Sequence, residues 1–89
     1  MKPWRWYVYI IECSDGTYYT GLTWNLDIRI NQHQLGKGSA YSTKHGFKKL
    51  AYAEEFESFD EARHREKQIK DWNQSKKQKL ISGKWGKWV

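Results

Sequence analysis

Cysteine is almost missing from this chain, acidic residues are in the minority, and no apolar run is long. Cys13 is the single cysteine among 89 residues, which excludes an internal disulfide, and beside strand-like neighbours it reads as a small packing group rather than a nucleophile. No apolar stretch approaches the ~18 residues of a spanning helix, so a membrane is not the expected partner. The opening "MKPWRWYVYIIEC" holds too short an apolar stretch for a secretory signal, and a cytoplasmic location is expected. Asp and Glu number 10 against 16 Lys and Arg, and the net charge of +6 makes a polyanion the natural partner. A chain of this length buries roughly 60 to 65% of its unfolded surface, enough for one sheet and two or three helices around one core. One domain over residues 1–89, acting as a monomer, is the expectation.

What the chain does have is aromatic residues, 17% of the total, and tyrosines concentrated near its start. In "YVYIIECSDGTYYTG", residues 7–21, alternating apolar and aromatic positions flank Asp15-Gly16, which predicts a β-hairpin. Tyrosine is a good strand former, so any one of these rings reads first as cover for a sheet. In "LTWNLDIRINQHQLGKG", Asn25 or Thr23 can cap a helix carrying Leu26, Ile30 and His33 on one face, with Gly36 ending it. Residues 36–46, "GKGSAYSTKHG", read as a cationic loop. "FKKLAYAEEF" predicts a third strand, Ser58 or Asp60 can cap a second long helix through "EARHREKQIKDWN", and "SKKQKLI" predicts a short third helix. The fold class is α+β, a small three-stranded antiparallel sheet flanked by helices in the order ββαβαα.

The second helix holds an anomaly. Its apolar stripe runs Phe59, Ala62, Glu66, Ile69 and Asn73, so a carboxylate and an amide occupy seam positions. A lone buried carboxylate costs several kcal/mol, so Glu66 requires a proton, a cation such as Arg29 or a lysine, or a metal ion. A helix-to-helix salt bridge and a catalytic role are equally good accounts of one such glutamate. On the first helix Arg29 and His33 lie four apart and share a face. A guanidinium there suits bidentate phosphate recognition, and the histidine suits phosphate binding or proton relay. A solvated arginine and a half-buried structural histidine are the plainer readings.

Together these residues resemble the GIY-YIG nuclease domain, particularly its small stand-alone members. Tyr7-Val8-Tyr9 stands for the first half-motif, with Tyr9 in the place of its tyrosine, and Tyr19-Thr20-Gly21 for the second. The helix arginine of the family falls on Arg29, the histidine one turn later on His33, and the metal-binding glutamate on Glu66. Val8 and Thr20 depart from the motif's name without removing a reacting group. The resemblance spans residues 5–82, leaving a basic aromatic tail. It implies a metal-dependent endonuclease that hydrolyses phosphodiester bonds in DNA, in repair, recombination or mobile-element processing, with RNA a second polyanion to consider.

By that resemblance Tyr9 and Tyr19 would flank the phosphodiester, one phenol helping to deprotonate or orient the attacking water while the other positions the phosphate. Glu66 would hold one Mg²⁺ or Mn²⁺, and Arg29 would neutralise charge growing on phosphorus. Tyrosine has a reference pKa of about 10, so a base role requires positive charge from Arg29, His33 or the metal. Tyr7 and Tyr18 are assigned to packing, and Asn73 to a supporting role. Outside this centre Lys37, Lys44, His45, Lys48 and Lys49 are expected to follow a nucleic-acid backbone, and Lys76, Lys77 and Lys79 form a second basic cluster. Trp4, Trp6, Trp85 and Trp88 suit either base stacking or packing. A nucleic-acid-binding module that does not cut, or a protein-interaction module on a nuclease fold, are the alternatives. The full set of Tyr9, Tyr19, Arg29 and Glu66 argues against both.

Overall fold

The computed structural model describes residues 5–83, so Trp4, Trp85 and Trp88 lie outside the described residues. Its elements are β1 (Trp6–Cys13), β2 (Tyr18–Thr23), α1 (Leu26–Gln34), α2 (Ala40–His45), β3 (Phe47–Phe56), α3 (Phe59–Lys70) and α4 (Gln74–Ser82). The strands form one antiparallel sheet in the order β2-β1-β3. Among the described residues no helix is long and apolar enough to cross a membrane.

The central strand explains the layering. Val8, Tyr9, Ile10 and Ile11 are all 0% exposed, because β1 is covered on both faces and therefore reads as a nearly unbroken apolar run. Val8 and Ile10 point to a core completed by Tyr52, Ala62, Ile69 and Leu80 under α3 and α4. Tyr9, Ile11 and Cys13 point the other way and meet Tyr19, Leu26, Ile30, Tyr41 and Phe47 under α1 and α2. Tyr18 packs on the α3 and α4 side as expected, and Trp6 sets its ring edge against Phe59 at 4.8 Å between centroids. Tyr7, two residues before Tyr9 on a regular stretch of β1, shares the face of Tyr9.

Local chemistry fixes the ends of these elements. In the hairpin turn the Asp15 carboxylate accepts from the Thr17 amide at 3.1 Å and the Thr17 hydroxyl at 2.7 Å, and Gly16 supplies φ 88°. The Asn25 side chain caps α1 through the Ile28 amide, and Ser58 caps α3 through the Glu61 amide. Two sequence readings are corrected. Residues 36–46 are not wholly a loop, because the Ser39 side chain accepts from the Ser42 amide at 3.0 Å and starts α2. Asn73 is not on the α3 seam, because α3 stops at Lys70 and the Asn73 side chain accepts from the Lys76 amide at 2.8 Å to cap α4. The pairing of β3 with β1 slips twice, at Ala51 and at Lys48, each of which is an extra residue on β3 with no partner on β1, so the strand carries two bulges.

One ion pair clamps α3 to β3. Glu54, 7% exposed, accepts from Arg65 Nε and Nη2, each at 3.0 Å, and from the Tyr52 hydroxyl. Burial and the adjoining carboxylate push the Tyr52 phenol well above its ordinary range. Arg65 also lies 5.3 Å from the centre of the Trp72 ring, tying the α3–α4 connection to the same clamp. Glu54→Ala strands the Arg65 charge in a site that is largely dry. A loss of about 2 to 3 kcal/mol in denaturant unfolding is expected, below the value for complete burial because Arg65 keeps some contact with water. A change under ~0.5 kcal/mol would show that the clamp adds nothing beyond solvated partners.

Candidate active site

The site begins with a close approach between two strands. Tyr9 on β1 pairs with Gly21 on β2, and its ring lies across the glycine. A Cβ at position 21 would sit 2.4 Å from both Tyr9 Cζ and its hydroxyl oxygen, so only glycine fits beneath the phenol. Tyr19, two residues earlier on the same face, brings its ring centroid to 6.4 Å from that of Tyr9.

Helix α1 packs Leu26 and Ile30 on this face and brings Arg29 and His33 over the phenols. Tyr9 Oη lies 2.8 Å from His33 Nε2, and Arg29 Nε donates to the same oxygen at 3.3 Å. Arg29 Nη1 donates to Gln32 at 3.0 Å, while the His33 ring lies 5.5 Å from that of Tyr19. Tyr9 is 0% and His33 1% exposed, whereas Arg29 and Tyr19 are half-buried. In the folded state Arg29, His33 and the Gly21 backbone therefore enclose the Tyr9 hydroxyl.

Burial sets the electrostatics. It raises the Tyr9 pKa, opposed by the hydrogen bond and charge of Arg29 and assisted by Tyr19 and by the carboxylate of Glu66. It lowers the His33 pKa, and the Arg29 charge lowers it further. Of the three sources of positive charge that the sequence offered for ionising tyrosine, Arg29, His33 and a metal, His33 is the one that burial and Arg29 disfavour as a cation. This ring is neutral near pH 7, a hydrogen-bond acceptor at one nitrogen and a donor at the other.

Glu66 lies between the buried Ala62 and Ile69 on the α3 seam, its side chain 13% exposed. Its ion-pair partner is Lys70 one turn along, at 3.0 Å, rather than Arg29. Among the described residues no three His, Cys, Asp or Glu side chains gather into an ion cage. A Mg²⁺-like ion does not require one, since it keeps several waters and takes one or two carboxylates, so Glu66 fits a single hard divalent cation. Lys77 on α4 is half-buried, and burial followed by the charge of Lys70 lowers its pKa. Lys37 is exposed after α1 and Lys44 is exposed on α2, while Lys48 and Lys49 on β3 lie 3.4 and 3.9 Å from the Glu12 carboxylate. His45 pairs with Asp15, whose carboxyl is held down at about 2 by Thr17 and then His45.

Three residues that the sequence reading passed over stand behind His33. Ser42 Oγ is 2.7 Å from His33 Nδ1, Ser39 Oγ donates to Ser42 Oγ at 3.0 Å, and a Cβ on Gly38 would fall 2.3 Å from Nδ1. The available signal was Ser39 three residues before Ser42, a helix-capping spacing inside a stretch otherwise composed like a loop.

Comparisons with known proteins show the family and the fold. The model of the GIY-YIG catalytic domain matches residues 5–79. A UPF0213 protein of Halalkalibacterium halodurans is 42% identical over 80 residues, covering 90% of this chain and 85% of its own length. A UPF0213 protein of Clostridium perfringens is 46% identical over 78 residues, covering 88% of this chain and 84% of the relative. The solution NMR structure of the UPF0213 protein BH0048 from Bacillus halodurans superposes with a TM-score of 0.58 at 42% identity, covering 92% of this chain and 87% of that one.

Gly21→Ala forces the Tyr9 ring off α1, and a loss of about 1 to 3 kcal/mol is expected in chemical denaturation. An unchanged midpoint would mean that the ring has room to move. Acid titration offers a second test. Between the depressed His33 pKa and the ordinary value near 6.5, the unfolded chain binds a proton that the folded ring refuses. Stability should therefore rise with pH through that window, and His33→Gln should flatten the rise; equal slopes in both proteins would contradict a neutral buried ring.

Proposed function

The chain belongs to the GIY-YIG catalytic domain family, and on that footing we propose that it is a metal-dependent endonuclease hydrolysing phosphodiester bonds in DNA. The observation that carries the proposal is the buried Tyr9 hydroxyl held between the Arg29 guanidinium and the neutral His33 ring, with Tyr19 alongside. Packing alone would be served by an apolar ring at position 9, whereas a polar oxygen with a fixed donor and a fixed acceptor suits proton transfer.

Tyr9 is not a standing phenolate, because burial raises its pKa. Its proton leaves only as another arrives. A water at the phosphate gives a proton to the Tyr9 oxygen while Tyr9 passes its own to His33 Nε2. The water oxygen forms the new bond to phosphorus as the bond to the leaving oxygen breaks. Arg29 must first turn from Tyr9 towards the phosphate, which uncovers the phenol and places a guanidinium against the growing negative charge. Tyr19, half-buried beside it, donates to a phosphate oxygen. Glu66 would hold the divalent ion, which when bound supplies positive charge at the leaving oxygen. Lys37 and Lys44, both exposed around α2, follow the backbone on either side, and Lys48 and Lys49 extend the basic surface along β3.

Cleavage of labelled single-stranded, duplex, branched and flapped DNAs with Mg²⁺ or Mn²⁺ tests this directly. Arg29→Ala should lower the rate on the order of 10²- to 10³-fold. Glu66→Ala should abolish metal-dependent nicking with the fold retained. The acid limb of kcat/KM should fall below pH 6.5, since activity is lost only when the depressed His33 ring takes a proton. Wild-type protein that binds these DNAs and leaves all of them intact would instead mark a binding module on a nuclease fold.

A further inference from the structure

His33 has two nitrogens and, when neutral, one hydrogen to place between them. Nε2 faces the Tyr9 hydroxyl at 2.8 Å and Nδ1 faces Ser42 Oγ at 2.7 Å. The neighbours decide which nitrogen carries the hydrogen. Arg29 Nε only donates, so the Tyr9 oxygen accepts from it and its own hydrogen must go elsewhere. Tyr9 is fully buried, and His33 Nε2 is the acceptor within reach.

On the far side, Ser42 is 2% exposed and its hydroxyl donates to the Ser39 carbonyl at 3.4 Å. Its oxygen accepts from the Ser39 hydroxyl at 3.0 Å, and a lone pair remains for an N–H from His33. The hydrogens then run in one direction: Tyr9 O–H to Nε2, Nδ1–H to Ser42, Ser42 O–H to the Ser39 carbonyl. Each hydrogen along this run from Tyr9 to Ser39 has an acceptor. With the opposite tautomer, Tyr9 Oη would accept from both Arg29 and His33 and its own hydrogen would be orphaned, a cost of about 1 to 3 kcal/mol. Gly38 closes the arrangement, since any Cβ there would collide with Nδ1.

We propose that Ser42, oriented by Ser39, is a positioning residue that holds His33 as the Nδ1–H tautomer, so that Nε2 stands as a lone-pair acceptor towards Tyr9. Its kinetic consequence rests on the nuclease reading; the tautomer itself does not. When Tyr9 passes its proton to Nε2 the ring becomes imidazolium, Nδ1–H stays on Ser42 and no proton reaches the serine. The return of the Nε2 proton restores the starting state with the ring already oriented. Ser42 thus acts without touching substrate.

Long-range ¹H–¹⁵N correlation spectra of the full chain near neutral pH read the tautomer directly. The expected result is a pyrrole-like Nδ1 and a pyridine-like Nε2 for His33 in wild type. A mixed or reversed pattern is expected in Ser42→Ala, and the wild-type pattern in Ser42→Thr. In cleavage assays Ser42→Ala should lower kcat by about 10- to 100-fold with little change in KM, the usual scale for an outer partner of a working histidine. A wild-type ring protonated at Nε2 overturns the proposal whatever the variants do, and so does an unchanged tautomer in Ser42→Ala. Wild-type protein that cuts no DNA defeats the nuclease reading alone and leaves the tautomer to be judged from the spectra.

Discussion

A buried phenol oxygen needs partners, and that need at Tyr9 organises one whole side of this protein. With no water reaching it, the hydroxyl must donate and accept within the fold. His33 and Arg29 meet the demand from successive turns of α1, which fixes both the rotation of that helix and its height over the sheet. His33 passes the requirement outward to Ser42, and so to the short helix that Ser39 begins. Strand, long helix and short helix are thereby joined through polar contacts inside an otherwise apolar layer, where a low local dielectric strengthens each of them.

The two carboxylates at the α3 side are held in contrasting ways. Glu54 is engaged by Nε and Nη2 of Arg65 and by a tyrosine hydroxyl, so it is committed to holding the fold together. Glu66, at a similarly shielded depth, is paired among the described residues with one lysine, on a flexible stem one helical turn away. An ammonium of that kind is readily exchanged for another cation. The difference between a carboxylate that is locked and one that can change partners is what makes Glu66, and not Glu54, suited to hold an ion in the proposed mechanism.

Much of this was legible in the chain because it was written in local signals. The Asp15-Gly16 turn, the caps at Asn25 and Ser58, and the limits of β3 each depend on a few adjacent residues. Arg29, His33 and Glu66 stood out by helical spacing together with a family resemblance. What escaped notice depended on long-range placement. Helix α2 has only six residues, too few to show a period, and its composition is that of a loop. Neutral His33 follows from burial by distant segments, and the bulges in β3 follow from its pairing with β1. Asn73 misled because the helical count runs on through the turn at Asp71 and Trp72, where the helix has already stopped.

The glycine beneath Tyr9 also acts as a gauge of strand alignment. Position 21 is the only place on β2 where the phenol can lie flat across the neighbouring backbone, and its flanks are Thr20 and Leu22. A hairpin slipped by one residue would set a side chain under the ring and turn every other side chain of β2 to the wrong layer. The Tyr9 oxygen would then miss both α1 partners. The site and the correct strand pairing form together or not at all, so a misaligned chain carries no half-built centre.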